Sequence, residues 1–172
     1  MLIMCMKKRF VLLVCILAIL LGCSSVVLDT HFLSDSLHFA VSYPSTWDLS
    51  TPEQGLLVFS VPDAPLGTSV QIVALPTLDD VSLDIFVDKQ RQALSVLLEN
   101  FHFIANEPSR LGTADARVIS FTSAEQGITF HWMRWYAVHN DVAYIVTYAA
   151  PALSFSSYLH TVTEMTGSFR YL

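Results

Sequence analysis

From residue 38 to residue 149 the chain alternates apolar and polar residues with a period of two, and only two stretches in the chain's body break into three- and four-residue spacing. That pattern limits the fold to a sheet carrying two helices. Strands are expected at 38–43, 47–49, 56–61, 68–75, 101–106, 114–123, 128–138 and 142–149, with turns at Thr51-Pro-Glu-Gln-Gly55, Pro62-Asp-Ala-Pro-Leu-Gly67 and His139-Asn140-Asp141. The stronger helix spans 82–101. Leu83, Phe86, Val87, Gln90, Leu94, Leu97, Leu98 and Phe101 recur on one side, with Asp84, Asp88, Arg91, Gln92 and Ser95 opposite. Ser82 is placed to cap its first turn, and Asp84 suits the positive end of its dipole. The second helix spans 154–166, with Phe155, Tyr158, Leu159, Val162 and Met165 on one face and Gly167 closing it. Two helices so placed do not make the regular strand–helix alternation of a doubly wound fold. The expected class is α+β, an antiparallel sheet of about six to eight strands packed with two main helices.

The N-terminus has a separate logic. Lys7, Lys8 and Arg9 precede an apolar run from Phe10 to Leu21, about the length of an export signal's core and short of the roughly 20 residues a membrane span needs. Met6 reads as a second start. The run closes on Leu20-Leu21-Gly22-Cys23, which resembles the lipobox of bacterial lipoproteins. The resemblance implies cleavage between Gly22 and Cys23, a diacylglycerol on the Cys23 sulfur, and a body anchored to a bacterial membrane facing away from the cytoplasm. Each buried methylene contributes about 0.8 kcal/mol and one acyl chain alone holds only marginally, so it is two or three chains on Cys23 that make such an anchor durable. The expected layout is a signal at 1–22, a lipidated end and tether at 23–36, and one domain at 37–172.

Removing residues 1–22 of 172 leaves 150, enough for one domain with a core of its own. It also removes Cys5 and Cys15, and with Cys23 lipidated no disulfide is available. Loss of three basic residues and no acidic one takes the formal charge from −6 to −9. An acidic body without basic patches argues against nucleic acid as a partner and against adsorption to anionic headgroups beyond the anchor.

Phe39-x-Val41-x-Tyr43-Pro44-x-x-Trp47 resembles the start of PsbP-like, DcrB-like and LpqN-like domains, related in fold to a Ran-binding nuclear-import accessory protein. The helix after Ser82, Leu111-Gly112-x-x-x-Ala116, Tyr144-x-Val146-Thr147-Tyr148 and Gly167-Ser168-Phe169 extend the resemblance over nearly the whole body. It implies an α/β/α sandwich and accessory binding to a larger protein partner. It carries over no functional residue.

No Gly-x-Ser-x-Gly elbow, Walker loop, dinucleotide fingerprint or His-Glu-x-x-His pair occurs, so neither catalytic residues nor a cofactor are expected. His131 and His139 share a strand face but lie about 26 Å apart along it, too far to share a metal, while His102 on a neighbouring strand could approach one of them. The densest aromatic stretch is Phe130-His-Trp-Met-Arg-Trp-Tyr136, with Phe130, Trp132, Arg134 and Tyr136 on one face and His131, Met133 and Trp135 on the other. Two apolar faces suit a sheet covered on both sides. An incompletely covered face would instead leave a ligand groove at Trp132, Arg134 and Trp135. The leading expectation is a membrane-anchored envelope module that binds and does not catalyse. A carrier or sensor of a small apolar ligand is the alternative, and a hydrolase with dispersed residues comes third.

Overall fold

Three long strands in the second half of the chain form the frame, because their alternation runs unbroken and tight turns connect them. The computed structural model describes residues 26–77 and 82–172. The leader, with the cleavage site at Gly22 and the lipidation site at Cys23, lies outside those residues. In chain order the elements are β1 (Thr30–Ser34), β2 (Phe39–Tyr43), β3 (Asp48–Glu53), β4 (Leu56–Ser60), β5 (Ser69–Pro76), α1 (Leu83–Leu97), β6 (Glu99–Leu111), β7 (Ala114–Glu125), β8 (Ile128–His139), β9 (Val142–Pro151), α2 (Phe155–Gly167) and β10 (Arg170–Tyr171). β3 to β9 make a seven-stranded sheet in the order β3-β4-β5-β9-β8-β7-β6, and β1, β2 and β10 make a second, three-stranded one. Every pairing is antiparallel. The fold is therefore α+β, with a main sheet of seven strands and two packed helices.

The small sheet was not foreseen, and it changes the reading of the N-terminus. Residues 23–36, expected to be a tether, contain β1, which pairs Phe32 with Val41 and Leu33 with Ala40. The domain thus starts before residue 37. Its entry is fixed where the Asp29 carboxylate accepts from the Ser45 amide at 2.6 Å and the Ser45 hydroxyl at 2.7 Å. Those bonds favour the charged form and hold the Asp29 pKa below its ordinary value. All strands and both apolar cores lie within residues 26–172, so a chain beginning at Ser24 holds everything the described fold is built from.

The two helices take opposite sides of the main sheet. α2 and the small sheet cover one side, where Phe39, Phe59, Ile72, Tyr144, Tyr148 and Phe169 meet in the larger core. Three of the resembling motifs converge there. The Gly112 amide donates to the Thr166 carbonyl at 2.9 Å, and a Cβ on Gly112, whose φ is +56°, would stand 1.9 Å from the Phe169 carbonyl oxygen. Only glycine allows that approach.

α1 packs on the other side against β6, β7 and β8, over Ile119, Phe121, Tyr136 and Ile145. The Ser82 hydroxyl caps it by accepting from the Ile85 amide at 3.4 Å. The helix ends at Leu97, sooner than its apolar spacing indicates, because Leu98 is extended and Asn100 takes a left-handed φ of 51° as β6 begins. Phe101 still reaches the helix-side core, but from the strand.

Candidate functional site

A helix is about 10 Å across and strands lie about 4.8 Å apart, so one helix covers roughly two or three strands of seven. Among the described residues, that width leaves β3, β4 and β5 without a covering element on the α1 side. Along β4, Leu57 and Phe59 face α2 and are buried, whereas Leu56, Val58 and Ser60 on the opposite side are not. β5 repeats the pattern, with Val70 and Ile72 buried and Ser69, Gln71 and Val73 partly open. The sequence expectation of a sheet covered on both sides therefore holds for part of it only.

Arg134 stands at the edge of this bare area. The register runs Ile119 on β7, Arg134 on β8, Thr147 on β9 and Gln71 on β5 in one row, all on the α1 side. The next row on that side holds Phe121, Trp132, Ala149 and Ser69. Arg134 is half-buried, and its Nε is fully enclosed with no acceptor among the described residues. Tyr136 is completely buried, and its hydroxyl oxygen lies beside the Arg134 guanidinium, which can donate to it, with no other partner among the described residues. Burial pushes the Tyr136 phenol above its ordinary pKa, while the neighbouring Arg134 guanidinium pulls the other way. The phenol stays neutral and able to donate.

Trp132 and Arg134 thus share a surface. Trp135 does not. It is buried on the opposite side in the larger core, so no single groove joins the three residues singled out in the sequence. Trp132 is half-buried, stacks parallel to Phe121 at 6.0 Å and donates its indole N–H to the Ser123 hydroxyl at 2.9 Å.

The histidines divide differently. His131 Nε2 shares a 2.7 Å hydrogen bond with the Ser120 hydroxyl, and its ring stacks on Phe155 at 3.8 Å. Burial holds its pKa below the ordinary value. A serine–histidine contact is half of a nucleophilic machine, but the other half needs a group orienting the far ring nitrogen and donors for an oxyanion. No carboxylate reaches His131 among the described residues. His102 lies in the same cross-strand row as His131 with Thr122 between them, about 10 Å away. His38 and His139 line a cleft of about 280 Å³ at the far end of the sheet, where the His139 ring packs 4.4 Å from Tyr171. Among the described residues no three His, Cys, Asp or Glu side chains are grouped to hold a metal, and no helix is long and apolar enough to cross a membrane.

No family model matches the chain, and no curated protein matches it in sequence. Solved structures do match in fold. A Bacteroides thetaiotaomicron crystal structure superposes with a TM-score of 0.63 at 17% identity over 85% of this chain, which spans only 49% of that one. The solution structure of cyanobacterial PsbP (CyanoP) from Synechocystis gives 0.64 at 10% identity, covering 88% of this chain and 98% of that one. LpqN of Mycobacterium tuberculosis, described as involved in cell envelope biogenesis, gives 0.59 at 15% identity over 76% and 81%. The fold is thus PsbP- and LpqN-like, as the N-terminal motif indicated. At these identities the likeness concerns fold alone.

Proposed function

We propose that this chain is a lipid-anchored, non-enzymatic accessory module of a bacterial envelope, facing away from the cytoplasm and serving a larger protein partner. The observation that carries the reading is Leu20-Leu21-Gly22-Cys23 at the end of a short apolar run, six residues before the Asp29–Ser45 contact where the fold begins. Six residues reach at most about 20 Å, so the body rides close to the membrane surface. Support comes from LpqN, a protein of the same fold involved in cell envelope biogenesis.

The test is metabolic labelling of the full chain in a bacterial host with a palmitate analogue. Wild type takes up label and Cys23→Ala does not. Equal labelling of the mutant refutes the anchor. Cross-linking of the native membrane then separates two outcomes: a discrete heteromeric adduct that requires Cys23 supports the partner, and a monomer alone under all conditions contradicts it.

A further inference from the structure

The five most exposed large apolar side chains among the described residues are Leu153 at 101%, Leu66 at 87%, Val96 at 85%, Leu97 at 78% and Val27 at 65%. Single apolar residues scattered over a surface need no explanation. These five share one end of the molecule. Leu66 lies in the loop from β4 to β5, and Leu153 lies just past the end of β9. Val96 and Leu97 close α1 where β6 sets out, with Glu99 paired to Ala124 near the end of β7. β3 starts at the same end, Asp48 pairing with Ser60, three residues after the Ser45 that holds Asp29. Val27 precedes Asp29 at that entry.

Two of the leucines stand in neighbouring turns of the same construction. The Thr68 amide and hydroxyl both donate to the Pro65 carbonyl, at 3.1 and 2.7 Å, around Leu66. The Ser154 amide and hydroxyl donate in the same way to the Pro151 carbonyl, at 2.9 and 3.1 Å, around Leu153. Gly, Asn, Asp and Ser are the usual residues of such turns, so local structure gives no reason for leucine at either place. Gly67 lies so close to the Phe130 ring that a Cβ would stand 2.7 Å from it, and Phe130 pairs with Pro151. The Ala152 amide donates to the Thr129 carbonyl at 2.9 Å, which brings in the exposed Ile128 next to it.

The N-terminus enters beside these turns. Trp47, two residues after Ser45, meets Tyr158 in the first turn of α2 edge to face at 6.4 Å, and Leu153 lies two residues before that helix begins. Cys23 is six residues before Asp29, a reach of at most about 20 Å. A bilayer holding Cys23 therefore lies opposite the leucine turns, with little room for a protein between.

We propose that this end is a membrane-docking surface, with Leu66, Ile128 and Leu153 entering the interfacial layer of the bilayer that holds the Cys23 acyl chains. The inference rests on the anchor proposed above, because three side chains bind a bilayer only weakly unless a tether raises their effective concentration. Asp63 and Glu125 flank the turns, so the surface suits zwitterionic headgroups better than anionic ones.

The experiment uses the acylated protein, purified from a bacterial host and reconstituted in phosphatidylcholine vesicles. One nitrobenzoxadiazole label is placed at Leu66→Cys, at Leu153→Cys or, about 20 Å away along β5, at Leu75→Cys. Processing removes Cys5 and Cys15 and acylation occupies Cys23, so each introduced thiol is labelled alone. All three positions are exposed, and the variants are expected to fold as wild type. Nitroxide-bearing phosphatidylcholine should quench most of the emission at positions 66 and 153 and shift the remainder to the blue, leaving position 75 unchanged. Palmitate incorporation is read on the same preparation. Acylated protein that floats with the vesicles while labels 66 and 153 stay in water, as they would if the turns served a protein partner, overturns the proposal and leaves the anchor standing. Equal quenching at all three positions also overturns it. Absence of palmitate overturns the anchor and this proposal with it.

Discussion

The two sides of β4 and β5 are made by the same ten backbone ladder positions, yet they have opposite fates. Toward α2, Leu57, Phe59, Val70 and Ile72 are sealed beneath the small sheet and the helix. Toward α1, Leu56, Val58, Ser69, Gln71 and Val73 look out past the end of the helix's cover. The difference shows that in a wide antiparallel sheet the number of covering elements, more than the strand pattern, decides where solvent stops.

Adjacent substitutions in β4 separate the two sides most strongly. Phe59→Ala removes a fully buried ring and should lower unfolding free energy by about 3–5 kcal/mol. Val58→Ala, one residue earlier on the other side, should change it by about 0.5 kcal/mol or a little more. Equal large losses in chemical denaturation would show that the α1 side is covered after all.

A smaller effect comes from His131 on the α2 side. Its folded pKa lies below the unfolded value near 6.5 because burial against Phe155 disfavours the charged ring. Below about pH 6.5 the unfolded chain therefore binds the extra proton, so this contribution is complete above that pH and is lost as pH falls toward the folded pKa. His131→Gln should flatten the slope of Tm against pH between about 7 and 5. An unchanged slope places the ring in water.

The smallest effect is expected at the Arg117–Asp84 contact, where the Asp84 side chain is 66% exposed. Asp84→Asn should cost about 0.5 kcal/mol or less, and high salt should erase even that. A larger loss would mean that this ion pair, rather than Val87 and Leu94, pins α1 to the sheet.

What the sequence showed and hid follows from range. β7, β8 and β9 could be read because each carries a long alternating pattern, and the start of α1 because Ser82 is a local cap. The end of α1 was hidden because Leu97, Leu98 and Phe101 keep a helical rhythm across the break at Asn100. β1 was hidden because Thr30–Ser34 is short, and because its sheet closes through residues far apart, such as the Ser42 amide donating to the Ser168 hydroxyl at 2.9 Å. Alternation alone placed Trp132 with Arg134 and Trp135 opposite them. That Arg134 borders a bare area could not be read, since it depends on how many strands one helix spans.

The most direct measurement is thiol accessibility along β5. A chain starting at Ser24 contains no cysteine, so each introduced thiol reports alone. Gln71→Cys and Val73→Cys should react readily with a maleimide in the native protein, and Val70→Cys and Ile72→Cys should be protected until it unfolds. Protection at all four positions would contradict the half-covered sheet and everything drawn from it.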